Sequence, residues 1–196
     1  MDFSTGLPKV QGQDCLYVVV DRLTKFSHFF DITSDYSTTQ VAELFFKEVF
    51  RLHGLPKTIV CDRDSKFTNA FWQELFRLVG TELATSTSYY PQSDGQTEIV
   101  NKWVEGYQRN YVAGQQRTWI KWLHLGEYCY NTTYHMSIRM TPFKALYGYE
   151  ALDFAHLAFG DNRAPKEKDW VHDIQDILKV LKENLQADQN QQKLYA

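Results

Sequence analysis

The order in which apolar patterns follow one another is the strongest constraint in this chain. Short β-branched runs come first, a strand and helix alternation occupies the middle, and helical periodicities follow. Leu16-Tyr-Val-Val-Val-Asp21 reads as one strand and Phe26-Ser-His-Phe-Phe-Asp31 as its neighbour, joined across the basic stretch Arg22 to Lys25 as a hairpin. After Thr38 and Thr39, both residue types that cap helices, Val41, Leu44, Phe45, Val49 and Leu52 recur at helical spacing, and Gly54 with Pro56 supplies the stop. Thr58-Ile-Val-Cys61 is then a short buried strand ending at Asp62. Phe71, Leu75, Phe76 and Val79 mark a helix closed by Gly80, and Thr81 to Ser86 is a weaker strand. A turn-rich loop, Tyr89 to Gly95, precedes a helix from Gln96 with Val100, Trp103, Val104, Tyr107 and Tyr111 on its apolar face. A further helix is expected over Thr118 to Tyr130. Thr141-Pro142 then places a cap and a first-turn proline ahead of Phe143 to Tyr147, with Gly148 beyond. The expected fold class is α/β, a mixed central sheet flanked by helices, and in such layered domains sites gather at strand ends.

Composition narrows the function classes. At 196 residues the chain is long enough for one domain and a tail, and 43% apolar with 15% aromatic residues gives it material for a core and excludes a disordered polymer. No apolar run approaches the roughly 18 residues that span a bilayer, and Met1-Asp2 opens with an acid where a secretory leader has a basic segment, so neither a membrane partner nor secretion is expected. Cys15, Cys61 and Cys129 are scattered and form no C-x-x-C pair, which argues for a reducing compartment and against structural zinc. A formal charge of −3 means that any nucleic-acid role must come from a local patch or a bound cation. Beyond a loose stretch from Gly160 to Asp169, Val171, Ile174, Leu178, Leu181 and Leu185 form a seam suited to packing on the core or on a second chain.

Three acids stand where chemistry is plausible: Asp2 at the start, Asp62 at the end of a strand, and Glu98 in the first turn of a helix. Thirty-five residues separate Asp62 from Glu98. A strand-end acid and a helix acid can converge above a sheet, offering the hard oxygen ligands that Mg²⁺ prefers while leaving positions for water and a substrate phosphate. Two such ions about 3.5–4 Å apart can stabilise both the attacking and the leaving oxygen of an in-line phosphodiester displacement. The plain alternative is that an Asp after a strand forms a turn and a Glu in a first helical turn answers the helix dipole.

Six ordered motifs decide what these acids resemble. They are Met1-Asp-Phe-Ser-Thr-Gly-Leu-Pro8, Tyr17-Val-Val-Val-Asp-Arg-Leu-Thr-Lys25, His53-Gly-Leu-Pro56, Ile59-Val-Cys-Asp-Arg-Asp-Ser-Lys-Phe67, Tyr90-Pro-Gln-Ser-Asp-Gly-Gln-Thr-Glu98, and Tyr130-Asn131 through Thr141-Pro-Phe143 with Tyr147-Gly148. In this order they closely resemble the integrase catalytic core of Gypsy-type LTR retrotransposons, a branch of the retroviral integrase superfamily. The resemblance implies an RNase H-like fold and a D,D(35)E triad at Asp2, Asp62 and Glu98. These would hold two Mg²⁺ or Mn²⁺ ions in the active complex. It also implies two reactions: water attacks a phosphodiester near the end of the element's DNA, and the exposed 3′-hydroxyl then attacks target DNA. No covalent enzyme intermediate is needed, so no Ser or Cys nucleophile is sought. Double-stranded DNA, a homo-oligomeric assembly and nuclear action follow as expectations, with no zinc in this segment. The core would run over 1–150, a linker over 151–168 and a helical extension over 169–196.

Around the triad, Lys102 lies four residues after Glu98 on the same helical face, where it can meet a phosphate. Its bland reading is a surface Glu-Lys pair worth about 0.3–0.5 kcal/mol. Asn101 and Arg109 are weaker members of the same DNA-facing strip, and Tyr89, Gln92 and Asp94 on the preceding loop either meet DNA or merely connect elements. The family usually has His where this chain has Tyr90. Asp64 and Asp21 are read as loop and turn acids, and the six histidines, none at zinc-ligand spacing, as ordinary structural or surface residues. Trp119, Trp122 and Leu123 read as core or dimer packing rather than a base-stacking platform.

In the family, zinc-binding and DNA- or chromatin-binding modules flank the core, and several residues precede the Asp2 position within its strand. A strand opening at Met1 is therefore expected to fray and to loosen the first acid. A catalytic core is weighed against a non-catalytic remnant that binds DNA or oligomerises, and retention of all three acids favours the core.

Overall fold

The computed structural model describes residues 1–61, 73, 76–77, 80–85, 100, 119–152, 174, 176, 179 and 183. They fall into two compact units, Met1–Val20 with His28–Asn101, and Asp21–Ser27 with Lys102–Ala196.

In the first unit, β1 (Asp2–Val10), β2 (Gln13–Val20) and β3 (Ser27–Ile32, whose first residue clusters with the second unit) form a sheet in that order. β1 runs antiparallel to β2, with Asp2 opposite Val18, Phe3 opposite Tyr17 and Thr5 opposite Cys15. The register then slips: Gly6 to Lys9 face Asp14 alone before Val10 meets Gln13. The connecting turn holds Gln11 and Gly12 at φ 51° and 89°, the paired left-handed backbone of a tight two-residue hairpin. β2 and β3 are neighbours, as their sequences suggest. The link between them is a turn organised by Asp21, whose carboxylate accepts from the Leu23 and Thr24 amides at 3.3 and 3.1 Å while its own N–H reaches the Phe26 carbonyl at 2.8 Å.

The first helix begins one residue earlier than Thr38, and two earlier than Thr39, would allow as caps. Ser37 is the N-cap of α1 (Thr38–Leu44): its hydroxyl accepts from the Gln40 amide at 3.2 Å, and the Gln40 side chain accepts from the Ser37 amide at 2.7 Å. A reciprocal box needs Glu or Gln three residues on, which Ser37 has and Thr38 and Thr39 lack. The helix continues through a π-helical stretch (Phe45–Phe50) into α2 (Arg51–His53). The wider π turn lags the phase of the apolar stripe. Val41, Phe45 and Val49 are therefore buried, whereas Leu52, expected on the same face, is 51% exposed.

β4 (Thr58–Cys61) pairs in parallel with β5 (Glu82–Thr85), Thr58 opposite Glu82 and Cys61 opposite Thr85. Parallel neighbours require a crossover, and Gln73, Phe76 and Arg77 between them are helical. The core of this unit joins Cys15, Tyr17, Ile32, Tyr36, Phe45, Ile59, Cys61 and Phe76, with Phe45 meeting Phe76 edge to face at 5.9 Å.

In the second unit α3 (Trp119–Thr132) buries Trp119, Trp122 and Leu123, and α4 (Pro142–Tyr147) follows. α4 has the expected ends. Thr141 Oγ1 accepts from the Lys144 amide at 3.1 Å, Pro142 occupies the first turn, and Gly148 at φ 82° donates to the Lys144 carbonyl at 2.8 Å. Of the C-terminal seam, Ile174 is helical and buried and the other members lie outside the described residues; Asp176, Lys179 and Glu183, which are not part of the seam, are helical and exposed. No helix among the described residues is long and apolar enough to cross a membrane. Cys15, Cys61 and Cys129 are buried and are not joined in disulfides.

Candidate active site

The best-defined part of the site is the start of β1. Asp2 opens that strand opposite Val18, and its Oδ1 accepts the Phe3 amide at 2.8 Å. Just ahead of it, the Met1 amine donates to the Val60 carbonyl at 2.8 Å. This bond ties the beginning of β1 to the end of β4, although the two strands lie in different hydrogen-bonded ladders.

An apolar floor holds that junction. Met1 is 9% exposed, and Tyr17 Oη donates to its Sδ at 2.9 Å. Phe3 stacks on Tyr17 and Tyr36 with ring centroids 4.9 and 4.4 Å apart. Burial, with Cys61 and Tyr36 adding to it, pushes the Tyr17 phenol far above its ordinary range, so it remains a neutral donor. These contacts run against the expected fraying of this strand: its first residues are held by a backbone bond, a side-chain bond and stacked rings.

Cys61, fully buried, is the last residue of β4, and Asp62 follows it in sequence. Asp62 and Glu98 lie outside the described residues, as do Lys102, Asn101, Tyr89, Gln92, Asp94 and Arg109. Of the triad, then, the structure positions Asp2. Val100, assigned to the apolar face of the helix that carries Glu98, is helical and fully buried. Among the described residues no group of three or more His, Cys, Asp or Glu side chains gathers to hold a metal ion. The described part of the site offers one half-buried carboxylate at a strand start, a hard oxygen donor suited to Mg²⁺ rather than to soft metals.

One pairing was not readable in the sequence. Nε2 of His28 on β3 and Nε2 of His53 at the end of α2 are 2.9 Å apart, across 25 residues of chain. That interval matches no ligand spacing. Only the packing of the helix end against the strand brings the rings together.

No protein-family model matches the chain. Over its whole length the chain is 32% identical, across 197 aligned positions, to the Transposon Tf2-3 polyprotein of Schizosaccharomyces pombe, and equally to the Tf2-4 polyprotein of that organism. It spans 14% of the length of each of these relatives. Among solved structures, the simian T-cell lymphotropic virus intasome in complex with the PP2A regulatory subunit B56 gamma aligns with a TM-score of 0.62 at 14% identity, over 84% of this chain and 57% of that one. The HTLV-2 integrase catalytic core domain in complex with magnesium aligns with a TM-score of 0.57 at 15% identity, over 74% of this chain and 93% of that one. At such identities the likeness is one of fold, and the fold is the RNase H-like one.

Proposed function

Because the chain belongs to the integrase catalytic cores of Gypsy-type LTR retrotransposons, we propose that it is the polynucleotidyl transferase core of such an element, trimming the 3′ ends of element DNA and joining them to target DNA. The observation that supports this reading is the Met1–Val60 hydrogen bond, because it brings the backbone just ahead of Asp2 to the strand whose next residue in sequence is Asp62.

In this reading Asp2, Asp62 and Glu98 hold two Mg²⁺ or Mn²⁺ ions, and their carboxylate oxygens are the donor set such hard ions take. Magnesium in the HTLV-2 neighbour supports the choice. When bound, such ions would supply charge stabilisation to a phosphoryl centre and help to activate an oxygen nucleophile. The chain's own part is positioning. The β1–β4 junction fixes the backbone of the first acid, and the apolar floor of Tyr17, Phe3 and Met1 excludes water from beneath it. Lys102 neutralises a substrate phosphate, Asn101 and Arg109 extend that strip, and Tyr89, Gln92 and Asp94 contact DNA from the loop. The substrates are double-stranded element ends and target DNA, handled by an oligomer of this chain in the nucleus. Residues 1–150 form the catalytic core, 151–168 a linker and 169–196 a helical extension.

The test is a strand-transfer or disintegration assay on branched DNA in Mg²⁺ or Mn²⁺, comparing the chain with Asp2→Asn, Asp62→Asn and Glu98→Gln. The expected result is activity that chelation by EDTA removes and that each variant lacks, with folding intact by circular dichroism. Activity that persists in the variants rejects the site. Equal inactivity of all four proteins, with DNA binding and oligomerisation intact, replaces the proposal with the non-catalytic remnant.

A further inference from the structure

We infer that Tyr17 is a positioning residue for the first acid: by gripping both chain neighbours of Asp2 on one face of β1, it turns the Asp2 side chain to the other face and holds it there for metal binding. The inference rests on the reading of Asp2 as a metal ligand given above.

Side chains alternate along a strand, so residues 1 and 3 share a face and residue 2 takes the opposite one. Tyr17 stands directly across the β1–β2 ladder from Phe3, and its fully buried side chain engages both members of that shared face. Its ring stacks on Phe3 with centroids 4.9 Å apart, and its hydroxyl donates to Met1 Sδ at 2.9 Å. Either contact alone would fix one neighbour of the acid; together they fix the chain on both sides of it. Asp2 then cannot turn about the strand axis without lifting an aromatic ring and breaking a buried hydrogen bond. A slip of one residue would carry the carboxylate into the apolar cluster, where an unpaired charge is costly.

Other elements brace the grip. Tyr36, one residue ahead of the Ser37 cap of α1, stacks on Phe3 at 4.4 Å, and Phe30 on β3 meets the Tyr17 ring at 5.9 Å. On the β4 side the Met1 nitrogen donates to the Val60 carbonyl, and Cys61, which precedes Asp62 in sequence, shares the buried cluster with Met1 and Tyr17. The phenol thus packs among the residues that precede both strand acids. A thioether is a weak acceptor, so removing the hydroxyl alone disturbs placement more than folding.

The experiment measures Mn²⁺ binding to the whole chain without DNA, by electron paramagnetic resonance of the unbound ion, for the natural sequence, Tyr17→Phe, Phe3→Leu, Asp2→Asn and Tyr130→Phe. Tyr130, a buried tyrosine of the second unit, controls for the loss of a buried hydroxyl. Hydrogen exchange at the residue 3 amide, which donates to Asp2 Oδ1 at 2.8 Å, reads the same placement in the metal-free protein. Tyr17→Phe is expected to weaken Mn²⁺ binding about tenfold, the low end for losing a group that orients a metal ligand, and to quicken that exchange. Phe3→Leu, at a half-buried position, carries the same expectation if Tyr17→Phe misfolds. Tyr130→Phe lowers Tm and leaves both readouts unchanged. Binding that is lost in Asp2→Asn but unchanged in Tyr17→Phe and Phe3→Leu overturns this inference and leaves the proposed function standing. An equal loss in Tyr130→Phe makes the effect one of general stability and also overturns it. No Mn²⁺ uptake by the natural chain, or uptake unchanged in Asp2→Asn, rejects Asp2 as a ligand and with it the reading beneath.

Discussion

Asn131 on α3 satisfies both backbone hydrogen-bonding groups of Ser27, accepting its N–H at Oδ1 at 2.9 Å and donating from Nδ2 to its carbonyl at 2.8 Å, across 104 residues of sequence. Ser27 is fully buried and Asn131 2% exposed, so no water replaces the amide if it is lost. Asn131→Ala leaves a buried donor and a buried acceptor unpaired, at a cost of about 2–4 kcal/mol. Asn131→Asp keeps one bond, sets a carboxylate against a carbonyl, and is expected to be at least as damaging. Urea denaturation of the two variants beside the natural chain measures both; a change below the error of the extrapolation would show that the bond pair is dispensable.

The ends of α4 offer a local test. Thr141→Ala removes the hydroxyl that accepts the Lys144 amide, a loss of about 1 kcal/mol. Gly148→Ala forces a Cβ into the left-handed backbone at φ 82°, costing about 1–2 kcal/mol. Hydrogen exchange at the Ala145 and Gly148 amides, which donate to the Thr141 and Lys144 carbonyls, should quicken in both variants.

Acid should weaken the protein partly through Asp14. The Ser34 amide at 2.6 Å and hydroxyl at 3.0 Å, with Lys9 nearby, hold its carboxyl below the usual carboxylate range against a smaller effect of burial. The folded state thus binds the proton less readily than the unfolded chain. The stabilisation is complete above the ordinary value near ~3.9 and is lost as pH falls through the lower folded value. Asp14→Asn should be less stable than the natural chain at neutral pH, and the two stability curves should converge in acid. Parallel curves from pH 7 to 2 would remove Asp14 from the account.

His135 acts at milder pH. Burial lowers the basicity of its ring, the Tyr130 backbone opposes that effect, and Lys25 adds to the lowering. Its Nε2 is buried without a hydrogen-bond partner, which suits a neutral imidazole. The unfolded chain therefore takes the proton first. Stability is full above the ordinary histidine value of about 6.5 and declines as pH drops below it, until the folded value is reached. A titration of the His135 ring by NMR should give a midpoint below that value, and His135→Gln should flatten the stability curve in the same window. A midpoint at or above the ordinary value would contradict the burial argument.

Local signals were legible and non-local ones were not. Thr141, Pro142 and Gly148 announce α4 because caps and first-turn prolines act within a few residues, and Thr58 to Cys61 reads as a strand because it is short, apolar and bounded. The local pattern assigned no strand to residues 2–10. Gly6 and Pro8 interrupt it, and they are tolerated because they fall where the ladder with β2 slips register. Leu52 has the right spacing for a buried position, but spacing assumes one helical pitch and the π turn changes it. At the candidate site the residue types and the 35-residue interval between Asp62 and Glu98 are written in the sequence.

By itself, the sequence determined the order of the described strands and helices after β1, the caps of α4 and the identity of the acids, because each depends on residue type and on neighbours a few positions away. Tertiary structure alone decided that Met1 meets Val60, that Ser27 meets Asn131 and that His28 meets His53. Those meetings depend on how whole elements pack, since hydrogen bonds between distant residues form only after the loops between them close and the surfaces that carry them are buried.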